Sequence, residues 1–140
     1  IYALILLMKD GYPCIFYGDY YGVNSKISNH RKIIDILLNA RHKYAYGYQV
    51  DYFDHPAIVG FVRLGDIDHL DSGLVLLISN GESGSKMINV GILRSGEVWY
   101  DLTGNVEHDI LIDTYGYGEF TVREDRFSVW VKKSNGCKRN

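Results

Sequence analysis

The chain has 140 residues, 46% hydrophobic and 14% aromatic, enough for one domain with a moderate core. Its 15 basic and 17 acidic side chains leave a net charge of -2, so it lacks the clustered cationic excess that nucleic acid requires. Two cysteines, Cys14 and Cys137, are too few for a disulfide framework.

Ile1 to Lys9 (IYALILLMK) is apolar almost all round, as in a buried helix, and no capping residue precedes it. It reads as a helix cut in its middle. The run Tyr2 to Met8 is too short to span a membrane. It also lacks the flanks of a signal peptide, and it leaves the compartment open. Gly11 and Pro13 stop the helix. Cys14-Ile15-Phe16-Tyr17 follows as a short apolar run between breakers, the pattern of a strand buried on both faces in a parallel sheet. A lone parallel strand needs neighbours, which is a second sign that the chain is a piece of something longer.

Ser28 to Tyr46 carries a helical period, with Ile33, Ile34, Leu37, Leu38, Arg41 and Tyr44 at steps of three and four. Ser28 or Asn29 caps its start. Arg41, His42 and Lys43 suit its negative end, and Gly47 closes it. From Gln49 the period becomes two. Strands are predicted at Gln49–Phe53, Ile58–Leu64, Gly73–Ser79, Lys86–Val90, Glu97–Asp101, Asp109–Asp113, Glu119–Arg123 and Phe127–Lys132, separated by glycine-rich turns. Short strands at this spacing indicate a sandwich or barrel. Residues 134–140 read as a basic, solvated, disordered tail.

Several constellations carry no chemistry. Asp66-Ile67-Asp68-His69-Leu70-Asp71 lacks the glycine and terminal Glu of a calcium loop and reads as a charged hairpin turn. The five histidines have no metal-ligand spacing. Asn80-Gly81-Glu82-Ser83-Gly84-Ser85 lacks the ending of a phosphate loop and reads as a turn. Trp99 and Trp130 fall in alternating strands and read as core or rim residues.

Gly11, Pro13, Tyr17, Gly18 and Asp19 fill a Gly-x-Pro-x-x-x-Tyr-Gly-Asp pattern. Ala40 to Gly47, Asp51-Tyr52-Phe53-Asp54-His55, Gly96 to Asp101, Thr103-Gly104-Asn105 and Gly118-Glu119-Phe120 follow in order. This series resembles the C-terminal end of liquefying-type bacterial α-amylases of glycoside hydrolase family 13. The resemblance implies an α+β fragment. Residues 1–47 would be the last strand and helix of a TIM (β/α)8 barrel, and 48–133 an all-β Greek-key sandwich. It implies retaining hydrolysis of internal α-1,4-glucosidic bonds in starch-like glucans, using carboxylates about 5–5.5 Å apart. The family's catalytic carboxylates arise upstream of Ile1, and the first Glu here is Glu82. No catalytic residue is therefore assigned, and the chain alone is expected to be inactive.

The resemblance also makes Gly18 to Gly22 the loop after the last barrel strand. Asp19, Tyr20 and Tyr21 are thus substrate-loop candidates that either contact sugar or pack the rim. The family's barrel–sandwich calcium uses acidic residues where this chain has Ala57 and Asn80, so that site is expected to be lost, with no cofactor or metal held within the chain. The implied partners are the rest of the barrel and, in the intact enzyme, an α-glucan; neither nucleic acid nor membrane is expected. Related proteins are extracellular or cytoplasmic. Uncovered apolar area before Gly47 leads to the expectation that, in isolation, only residues after Gly47 fold. A related transglycosylase keeps the family and changes the reaction. The reading from a different class is a non-catalytic carbohydrate-binding or structural β-module.

Overall fold

The computed structural model describes residues 2–9, 31–69 and 71–133. The Cys14–Tyr17 run, the loop bearing Asp19, Tyr20 and Tyr21, and the tail lie outside the described residues.

Two helices come first, α1 (Tyr2–Leu7) and α2 (Arg31–Lys43). Eight strands follow: β1 (Gln49–Tyr52), β2 (Ile58–Arg63), β3 (Leu74–Ser79), β4 (Gly84–Asn89), β5 (Val98–Asp101), β6 (Ile110–Leu111), β7 (Tyr117–Val122) and β8 (Phe127–Lys132). Every predicted strand is present within a few residues. The largest trimming is at β6, where only Ile110 and Leu111 pair with β5. The last turn of α2 carries Arg41, His42 and Lys43, cations suited to the negative end of the helix dipole. Gly47 follows at φ +84°, and a Cβ there would collide with the Gly65 carbonyl.

The strands form a six-stranded sheet in the order β1-β2-β3-β8-β5-β6 and a two-stranded sheet, β4-β7, all antiparallel. The chain leaves the larger sheet after β3 and again after β6. It returns finally with β8, which inserts between β3 and β5.

Side-chain alternation sorts the larger sheet into two cores. Val62, Val75, Leu77, Trp99 and Trp130 meet Ile88, Phe120 and Val122 of the smaller sheet. Phe120 stands edge-on to both Trp99 and Trp130, each at 5.8 Å between ring centroids. On the other face Phe61, Leu74, Leu76, Val129 and Val131 meet Leu6, Leu7, Leu37 and Ala40 of the helices.

The strict alternation expected of a two-sheet sandwich therefore fails at β3. Its sequence LVLLIS is apolar almost throughout because helices cover one face and strands the other. Each fully buried Leu or Val contributes about 1.5–3 kcal/mol, so the helical layer is part of what stabilises the sheet. Among the described residues no helix is long and apolar enough to cross a membrane.

Candidate functional site

The β2–β3 pairing sets Ile58 opposite Ser79, which brings the residues just outside the ladder together. Asn80 N–H donates to the Ala57 carbonyl at 2.8 Å. His55 Nδ1 accepts from the amides of Ala57 (3.0 Å) and Ile58 (3.2 Å), so His55 shapes the turn entering β2. From β4, Lys86 Nζ reaches the Asp54 carboxylate. That hydrogen bond holds the Asp54 carboxyl below the ordinary carboxylate range. Around these groups lies a solvent-open pocket of about 480 Å³, bordered by His55, Asn80, Gly81, Glu82 and Lys86.

This corner does not fit a calcium ion. Calcium takes six to eight oxygens, including carboxylates. Here Ala57 offers only a carbonyl, already used by Asn80, and Asp54 is paired with a cation. Among the described residues no group of three or more His, Cys, Asp or Glu is placed to hold a metal.

The other sequence-selected residues have structural surroundings. Asp66 Oδ1 accepts from the His69 amide (2.9 Å) and faces His69 Nδ1 (2.8 Å), closing a charged turn. Trp99 and Trp130 are fully buried. Tyr115 and Tyr117 are exposed on a turn that Asp113 fixes, its Oδ1 accepting both their amides at 2.9 and 3.0 Å.

Two polar residues that sequence reasoning passed over organise the molecule. Arg63 is 7% exposed at the end of β2. Its Nη1 donates to the Leu7 carbonyl (3.0 Å) and its Nε to the Gly47 carbonyl (3.1 Å). Arg41 adds a bond from Nη1 to the Leu6 carbonyl (2.8 Å). The Leu6 and Leu7 carbonyls lie at the end of α1, where a helix leaves acceptors unpaired, and the Gly47 carbonyl lies in the turn after α2. Asp101 is 1% exposed and accepts from the amides of Thr103, Val106 and Val129, each at 3.0 Å, and from the Thr103 hydroxyl. Burial raises its carboxyl above the usual range, against the opposing pull of those bonds. The signal for Asp101 was its place before Thr103-Gly104-Asn105, a turn whose amides need an acceptor.

Residues 74–131 match the family profile described as the alpha-amylase C-terminal domain. The chain carries an α-amylase C-terminal domain. Across 94% of its length it is 48% identical to an alpha-amylase of Geobacillus stearothermophilus, of which it covers 24%. It is 46% identical to a glucan 1,4-alpha-maltohexaosidase of Bacillus sp. (strain 707), covering 26% of that protein. The chain thus spans about a quarter of the length of the curated relatives it matches. A truncated alternansucrase from Leuconostoc mesenteroides shares the fold at 17% identity and a TM-score of 0.77, covering 99% of this chain and 18% of that one. The γ-CGTase of an alkalophilic Bacillus clarkii shares it at 18% identity and a TM-score of 0.65, covering 94% and 22%.

Proposed function

We propose that this chain is the closing part of an α-amylase that hydrolyses internal α-1,4-glucosidic bonds of starch-like glucans by a retaining mechanism. In this reading residues 1–47 complete the (β/α)8 barrel, and residues 48–133 form the C-terminal domain that covers it. The nucleophile and acid belong to barrel strands upstream of Ile1, so this polypeptide supports catalysis without performing it. Asp19, Tyr20 and Tyr21 would stand on the loop after the last barrel strand, at the face where barrel enzymes bind substrate.

The observation that carries the proposal is the similarity to one bacterial α-amylase along 94% of the chain, helices and sheet together. The core shared by α1, α2 and the six-stranded sheet supports it, because such a core lets the C-terminal domain hold the barrel's end in place. The residues at Ala57 and Asn80 do not suit the barrel–sandwich calcium that the resemblance implies; the bonds of Arg63 to Leu7 and Gly47 join helices and sheet without a metal. Starch hydrolysis by an α-amylase barrel deprived of its own C-terminal end, with and without this chain fused to it, tests the proposal.

The β-module reading finds support at one place. The 113–117 turn presents Tyr115 and Tyr117 to solvent on a fixed backbone, the kind of rigid aromatic surface on which sugar rings stack.

A further inference from the structure

The pair Asn80-Gly81 sits in the turn between β3 and β4. Asn80 is solvent-exposed and borders the open pocket. Among the described residues no acceptor takes the Gly81 N–H. The groups on either side are held: Asn80 N–H by the Ala57 carbonyl (2.8 Å), and the Gly81 carbonyl by the Asp125 N–H (3.0 Å). Gly81 has φ +149°, and nothing lies within 4 Å of where a Cβ would stand. The Gly81 amide thus has no acceptor among the described residues, and no side chain crowds its Cα, beside the exposed Asn80.

We propose that Asn80 is a site of spontaneous deamidation in the folded chain. The Gly81 nitrogen gives up its proton and attacks Asn80 Cγ, closing a five-membered succinimide. The side-chain nitrogen leaves as ammonia. Water then opens the ring at either carbonyl, leaving aspartate or isoaspartate at position 80. One water enters, one ammonia departs, and nothing is oxidised or reduced.

Among the described residues the other asparagines of the β-sheet part, Asn89 and Asn105, are protected. Asn89 Oδ1 accepts the Gly91 amide at 2.8 Å, and Asn105 Nδ2 donates to the Phe127 carbonyl at 2.9 Å. Each is followed by a β-branched valine, Val90 or Val106, which crowds the attacking nitrogen. The reaction adds a negative charge to a turn that already holds Glu82. In the isoaspartate product the main chain is one carbon longer between the two anchoring hydrogen bonds, which loosens the ends of the β2–β3 and β7–β8 connections.

The test follows the full chain at mildly alkaline pH, under conditions where amide exchange shows the β2–β3 ladder protected, beside a synthetic peptide of residues 77–86. Asn135-Gly136 is a second such pair outside the described residues, so the readout is a position-resolved peptide map by mass spectrometry rather than total mass. Asn80 in the chain is expected to gain about 1 Da at a rate within about tenfold of the peptide's, ahead of Asn89 and Asn105. A rate at Asn80 lower than that, or equal to those of Asn89 and Asn105, overturns the proposal.

Discussion

Arg63 donates from Nη1 to the carbonyl of Leu7 across 3.0 Å, tying the second strand of the sheet to the end of the first helix. The same guanidinium reaches Gly47 through Nε, so one buried cation serves two separate carbonyls. A planar fork of donors suits that task, and a flexible lysine does not.

Replacing Arg63 with methionine keeps the volume and removes the donors. Each charged hydrogen bond contributes about 1.5–3 kcal/mol. The variant is expected to lose about 3 kcal/mol in denaturant unfolding and to lose amide protection first in α1. Leu37 and Ala40 lie in the sheet's second core, so α2 should resist protease together with the strands. This moves the expected limit of independent folding from Gly47 to the start of α2. Cleavage throughout residues 31–47 with the strands intact would contradict it.

Asp101 carries a pH dependence of definite sign. Burial raises its carboxyl, so the folded chain keeps the proton at pH values where the unfolded chain has lost it. Stability from this group therefore falls as pH rises from about 3.9, the ordinary aspartate value, through the raised folded value, and is level above it. Asp101→Asn should abolish that slope. It also turns an amide donor toward backbone N–H groups, at a cost of about 1–3 kcal/mol. Urea midpoints for both chains between pH 3 and 7 provide the check, and equal slopes would refute the assignment.

Much of the fold was legible in the residues. The period-two stretches became β1 to β8, and of the helical stripe Ile34 and Leu37 became the buried side of α2, together with Ala40, while Ile33 and Leu38 are exposed and Arg41 and Tyr44 half-buried. The second covering layer was less visible, because a solvated sheet face and one packed on helices differ only in continuous runs such as LVLLIS. Arg63 was hidden for a related reason: a charge at the end of an alternating strand looks like an outward-facing residue. Its acceptors lie 56 and 16 positions away, beyond any local pattern. Ala57 and Asn80 could be linked only through resemblance, since the β2–β3 register brings them together. Asp19, Tyr20 and Tyr21 lie outside the described residues.

Chelation addresses the corner at Ala57 and Asn80. With Asp54 committed to Lys86, the chain's thermal midpoint should be unchanged by EGTA to within about 2 °C, since only a bound ligand shifts it. A larger fall reversed by added calcium would show that a site exists after all.

The exposed tyrosines separate the two functional readings. If Tyr115 and Tyr117 form a sugar surface, maltooligosaccharide should bind in calorimetry, and Tyr115→Ala with Tyr117→Ala should weaken binding by about 1 kcal/mol or more. Heat independent of both tyrosines would remove the support for a binding module.

The most direct measurement is starch hydrolysis by an α-amylase barrel lacking its own C-terminal end, fused to this chain, beside each part alone. Activity in the fusion and none in the lone chain is the predicted result. Activity in the lone chain, or none in a fusion that folds, would contradict the claim that this chain completes and supports an amylase barrel.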